Sequence, residues 1–442
     1  MKKTENWKAH LFVVAIVVLV MPVVLAGFLL WLATRAPMAT PRAYKAPTPN
    51  AYDYYVSAAA SIDNTNFFGL RRGSSNRSMS FRGGRMFEAP LEQKDAVLAR
   101  NAKALAIFDK AIAHDCLVPR TSNRSSMFAY SSFGRFRNLV WLKCLESQSR
   151  AGHKDWSAAA DSALDVIKMG EDMRRGSNVR ESRSGLSNQS SGRSELAAIL
   201  DNLDSKQAIA ASRRLESIRG RHVPFTEILR EEKWFTLALM DYMWKRPNDD
   251  NNYGSRVAGA APLALSVPSS AIGKIMNRIQ MRGVLKDLDG FTSLSRKSFA
   301  DAKPVVMSAT QVRRQPQAAS SAIVNYGTHW CNDLTSEALN SVLNVMLALR
   351  AYKLDHGVYP AKLDDLAPKY IGKIPSDPFA RSGQLRYSVT PKRYVLYSIG
   401  PDCRDDGGRP IVEPNYGGRS YYGQYRVQTD SVLDIVAGIN TK

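Results

Sequence analysis

The chain is poor in the residues that most catalytic and metal-bound scaffolds need. Of its 442 residues only four are cysteine and six are histidine. Cys116, Cys144, Cys331 and Cys403 lack CxxC spacing, which excludes a zinc ribbon and a disulfide-dense mini-scaffold. His10, His114, His153, His222, His329 and His356 are scattered, and no HExxH pattern occurs, so a zincin site has no support. G-x-S-x-G and the P-loop pattern are also missing. The acid pairs Asp364-Asp365 and Glu231-Glu232 are adjacent, so neither shares a helix face. Acids are scarce against bases, 40 to 61, leaving a formal charge of +21. With 44% apolar and 23% charged residues, the composition excludes wholesale disorder, a collagen-like chain and a multi-span membrane protein.

One long apolar run is present. Residues 11–33, LFVVAIVVLVMPVVLAGFLLWLA, hold no charge and exceed the ~20 residues a helix needs to cross the hydrocarbon core. Trp7 and Trp31 lie near its ends, where indole rings favour the interface. A cleaved signal peptide would have a shorter core and a small-x-small site, and Thr34-Arg35-Ala36-Pro37 offers none. The reading is an uncleaved anchor, with a cytoplasmic tail at 1–10. Lys2, Lys3 and Lys8 before the span balance Arg35, Arg42 and Lys45 after it, so flanking charge alone leaves orientation open. Residues 34–50 carry Pro37, Pro41, Pro47 and Pro49 and form a stiff spacer.

Beyond the spacer, apolar spacing predicts a mainly α fold with helical hairpins over 51–300. Helices are expected over 51–62, 90–114, 133–149, 156–173 and 225–244. Asp204 or Ser205 is the expected cap of another that carries Ala208, Ile209, Leu215 and Ile218. The stretch 141–170 resembles one tetratricopeptide-type hairpin, without a second copy at fixed period. Two segments read as basic loops. One spans 69–85, acid-free, with Arg71, Arg72, Arg77, Arg82 and Arg85 as an anion or lipid patch; the other is Arg/Ser/Gly-rich 174–194. Residues 301–334 are expected as a linker.

The C-terminal region 335–442 opens with a helix, 335–357, capped by Thr335 and closed by Gly357. Two short strands, 385–389 and 393–398, follow as a hairpin, and then an acidic loop. This order resembles the C-terminal α+β domain of the type II secretion major pseudopilin. The resemblance rests on Ala351-Tyr352-Lys353-Leu354-Asp355, Gly357-Val358-Tyr359-Pro360, Ile374-Pro375-Ser376-Asp377-Pro378-Phe379 and Leu396-Tyr397-Ser398-Ile399-Gly400-Pro401-Asp402. It implies a body outside the cytoplasm, and so an N-in orientation. It also implies calcium in the loop, through the Ile399 carbonyl and Asp402, with Asp405 and Asp406 as the nearest further acids; Arg404 and Arg409 bring opposing charge. The chain departs from a pilin at its N-terminus. Gly27 lies inside the apolar run, and Leu32 stands where a pilin has glutamate.

Outside the cytoplasm the cysteines could pair, in any of three ways. Cys116–Cys144 with Cys331–Cys403 keeps each bond within one domain and is preferred. The functional expectation is a non-enzymatic, membrane-anchored scaffold or interaction protein of the cell envelope. Its partners would be other envelope proteins, and anionic lipid or wall polymer. The arginine-rich loops match no nucleic-acid reader motif, so no nucleic acid is expected. The alternative is an extracytoplasmic hydrolase with its site in the helical domain. A hydrolase predicts a deep pocket of convergent polar groups with shifted pKa values; a scaffold predicts a groove or a broad patch.

Overall fold

The computed structural model describes residues 14, 16–18, 20–28, 31, 45–63, 89–120, 130–245, 271–313, 321–390, 393–411, 427 and 430–440. The five patch arginines between 71 and 85 lie outside the described residues. The architecture is mainly helical with one small antiparallel sheet. Among the described residues no helix is long and apolar enough to cross a membrane. Of 11–33, the residues that are described are helical.

The chain divides into two compact units, Met1–Arg42 with Lys233–Gly290, and Ala43–Glu232 with Phe291–Lys442. In the first, Lys233 and Asp289 pair at 2.6 Å across the facing helices. The second holds most of the structure. Its helices are α1 (Ala51–Ala60), α2 (Leu91–Arg100), α3 (Ala102–Ile112), α4 (Tyr130–Gly152), α5 (Trp156–Asp172), α6 (Val179–Ile199) and α7 (Ser205–Arg219). Then come α8 (Phe225–Lys245) and α9 (Ala271–Leu294), each shared with the first unit, α10 (Phe299–Arg313) and α11 (Ser321–His356).

Two apolar clusters organise the second unit. One joins α1, α3, α4 and α5 through Tyr55, Phe108, Phe136, Leu139, Leu145 and Met169. The other joins α5, α6, α7, α11 and the sheet through Leu164, Leu196, Leu215, Leu343, Leu347 and Leu396. The second cluster thus runs across residue 334. The stripe of α11 that faces the sheet also faces α7, so the C-terminal module shares its core with the helices before it.

The sheet has the order β1 (Arg386–Val389), β2 (Tyr394–Ser398), β3 (Ile435–Val436), all antiparallel. Arg386 pairs with Tyr397 and Val389 with Tyr394. The expected hairpin is therefore present, and the third strand comes from beyond the acidic loop. Gly357 closes α11 at φ +75°, a conformation that costs glycine nothing.

Several elements differ from the sequence expectation, each for a physical reason. The helix expected over 90–114 breaks at Asn101, whose side chain accepts from Asp63 N at 2.8 Å. The basic segment 174–194 is mostly α6. Asn178 and Glu181 cap it reciprocally, and its glycines let α5 approach at backbone contact. A Cβ on Gly192 would lie 2.6 Å from Ala163 O. Residues 301–334 carry α10 and the first part of α11. Thr335 lies inside α11 and donates to Cys331 O at 2.8 Å, satisfying itself on its own helix instead of capping one. Asp204 caps α7, with Gln207 returning the bond.

Candidate functional site

The last turn of α5 ends in two acids, Glu171 and Asp172, both buried. A helix C-terminus repels negative charge, so each acid needs compensation. Asp172 receives Lys168 Nζ at 2.5 Å and the Tyr55 hydroxyl at 2.8 Å. Glu171 receives Val223 N at 2.7 Å, Gln189 Nε2 at 2.8 Å and Arg174 Nη1 at 3.1 Å. Burial pushes both carboxyls up. For Glu171 the pull of Arg174, with His222 and the Val223 amide, wins and leaves it below its usual range. For Asp172 burial wins over Lys168 and the carboxyl stays raised.

Arg174 is the hub. It is fully buried and all its nitrogens are engaged. Nε donates to Ser182 Oγ at 3.3 Å and Nη2 to Val223 O at 3.1 Å; Nη2 also meets Asp333. Burial opposes its charge, but Asp333 and Glu171 hold its pKa above the usual value. His222 stands at the rim, with Nδ1 3.2 Å from Glu337 and Nε2 3.8 Å from Asp333.

The polar seam continues inward between α6 and α11. Gln189 Oε1 accepts from Ser336 Oγ at 3.1 Å and Asn340 Nδ2 at 2.9 Å. Arg193 Nη1 donates to Ser336 Oγ at 2.9 Å and Asn340 Oδ1 at 3.1 Å. Arg193 has no acidic partner among the described residues, and burial pulls its pKa down to about 9.

On the solvent side of Glu171 and Asp172 lies a cleft of about 180 Å³, lined also by Ile112, Lys168, Arg175, Arg214, Ser217, Ile218 and Arg221. Four of these side chains are cationic. Arg214 pairs with Asp161 at 2.6 Å and also with Asp165; Arg221 pairs with Asp115 at 3.2 Å. Arg175 donates to Arg221 O at 3.2 Å and has no acidic partner among the described residues. Of these residues the sequence marks Ile218, and that as a helix position; it marks none as part of a site. The available signal was the capping pair Asn178 and Glu181, which marks α6 as a helix and so places its polar side chains against α5.

The sequence-predicted site residues are placed as follows. Asp402 accepts from Arg404 N and Leu433 N, each at 3.1 Å. Asp405 accepts from the Tyr397 hydroxyl at 2.8 Å and Arg386 Nε at 3.1 Å. Asp406 pairs with Arg409 at 2.7 Å. Ile399 N donates to the buried Asp377 at 2.9 Å. The loop acids thus turn to separate protein donors instead of converging on one point. Among the described residues no group of three His, Cys, Asp or Glu side chains is arranged to hold a metal ion. The loop's centre is Asp434, which accepts from Gly408 N at 2.8 Å and is raised to about 6 by burial.

None of the four cysteines is in a disulfide, so neither preferred pairing is present. The sulfurs have separate surroundings. Cys116 sits near Asp172 and Lys168, Cys144 near Glu195 and Lys143, and Cys403 near Lys303 and Asp402. No family model, curated protein or solved structure matches the chain.

Proposed function

We propose that the chain is a membrane-anchored interaction protein of the cell envelope, its N-terminus cytoplasmic and its helical body outside. The observation that carries this reading is the exposed apolar surface of the N-terminal helix. Val17, Val18, Val20, Val23, Val24, Leu25 and Phe28 all face outward, Val23 at 70% exposure. Such surface costs about 25 cal/mol per Å² in water and is favourable in lipid. A helix also satisfies its own backbone there. The similarity of the C-terminal module to type II secretion pseudopilins favours partners of that kind, and Leu32 argues against processing as a pilin.

The body supports binding better than hydrolysis. The buried charges of its hub, Glu171, Arg174 and Asp333, are consumed in pairing with one another. The cleft beside them is smaller than the ~300–1,000 Å³ of typical small-molecule sites.

Protease added to intact spheroplasts tests the reading. We expect digestion of everything after about residue 36, with the N-terminal fragment retained in the membrane and the mature chain still beginning at its own N-terminus. Full protection of the body would reverse the orientation. A mature N-terminus at Phe28 would restore a pilin.

A further inference from the structure

We propose that the cleft at the C-terminal ends of α5 and α7 binds a phosphate group, free or as a phosphomonoester. Its lining brings four cations, Lys168, Arg175, Arg214 and Arg221, against two acids, Glu171 and Asp172. Both acids are already compensated, Glu171 by Arg174 and Asp172 by Lys168 at 2.5 Å, so the three arginines carry the remaining charge of the lining. The two helix C-termini account for about half a charge each, which leaves the lining cationic.

The other acids nearby are weak competitors. Asp161 and Asp115, the partners of Arg214 and Arg221, are 56% and 78% exposed. Exposed pairs of that kind are worth about 0–1 kcal/mol, so an incoming anion can exchange for them. Asp165 is more firmly held, because it also pairs with Lys143 at 3.1 Å. Arg214 is therefore the fixed wall of the cleft, and Arg175 and Arg221, both exposed, are the residues free to close on a ligand.

Size and shape select the class. At about 180 Å³ the cleft is smaller than typical small-molecule sites. That admits a tetrahedral anion and a few further atoms, with the rest of any larger ligand left in solvent. Guanidinium forks match phosphate oxygens two at a time. The inference rests on the cleft alone and stands or falls independently of where the body is located.

The test is arginine modification by phenylglyoxal on the full chain in detergent, mapped residue by residue by mass spectrometry. Millimolar inorganic phosphate should slow modification of Arg175 and Arg221 several-fold over chloride at matched ionic strength. Arg213, exposed on α7 and donating to Lys369 O, should be unaffected. Arg175→Gln should raise by about tenfold the phosphate concentration needed for half-protection of Arg221, as loss of one charge-assisted bond implies. Equal protection by chloride, equal protection of Arg213, or protection indifferent to Arg175→Gln would each overturn the proposal. A second arm uses short-chain phosphatidic acid. Protection at far lower concentration than phosphate identifies a lipid headgroup as the source; protection no better than phosphate identifies a soluble ligand.

Discussion

Along α11, Asp333 is buried against Arg174 and Ser336 and Asn340 against α6; further on, Val342, Leu343, Val345, Leu347 and Leu349 join the apolar cluster shared with α7 and the sheet, with Ser341 and Asn344 buried among them. One helix therefore has two kinds of interior. The apolar half gains from any good fit and tolerates imperfect partners. The polar half gains only when every donor and acceptor is matched, because each buried unpaired group costs about 1–3 kcal/mol and charged groups cost more. The lesson is that the two halves should fail differently.

The largest expected effect is at the hub. Arg174→Met leaves Glu171 and Asp333 buried without their cation and should cost roughly 3–5 kcal/mol in denaturant unfolding. Adding Glu171→Gln and Asp333→Asn should recover much of the loss. If the triple variant were no better than the single one, packing and not charge would be what Arg174 contributes. The pH dependence has a definite sign. Glu171 is held below its usual range, so its contribution is full above the unfolded carboxyl pKa and is lost as pH falls through the lower folded value. The penalty of Arg174→Met should shrink in acid.

Leu343→Ala, in the apolar half, should cost about 3 kcal/mol through lost contact and a cavity. That cost should be flat with pH. A pH-dependent cost would mean the two halves are not separable.

A third expectation concerns Glu232, buried and accepting from Val179 N at 3.0 Å, with burial and the Glu181 charge pushing it from 4.5 to about 7. An acid raised in the fold is protonated there first. Stability should therefore fall as pH rises from about 4.3 towards 7, by at most about 3 kcal/mol. Glu232→Gln should flatten the melting temperature across that window, with the gain over wild type greatest above neutral pH.

The smallest effect is at the acidic loop. Arg386 neutralises Asp405 at an exposed pair worth about 0–1 kcal/mol. Arg386→Gln should barely move the melting temperature but should make it more responsive to calcium than in the wild type. An equal response in both would show that the arginine does not stand in for a cation.

The same contrast decides what was legible in the sequence. Leu339, Val342, Leu343, Met346 and Leu349 declare a helix by spacing, and the hairpin of β1 and β2 by alternation and its turn. The capping residue Asp204 and the terminal Gly357 are local signals and were readable as such. The polar half was not. Arg193, Gln189 and Ser336 look like solvent-facing residues until α6 and α11 are placed together, because what draws them inside is a set of hydrogen bonds that reaches across as many as 147 residues of chain. A rule that reads apolar as inside cannot find them.

The bond between Arg174 and Asp333 spans 159 residues. A ribosome that has just made α5 has produced two buried-to-be acids and an arginine whose main counterion does not yet exist. Loop closure over that distance is a slow, entropically costly step. The seam consequently cannot close before α11 emerges, and until then the half-made body presents an open slot. The duration of that slot is set by the synthesis of the helix that fills it.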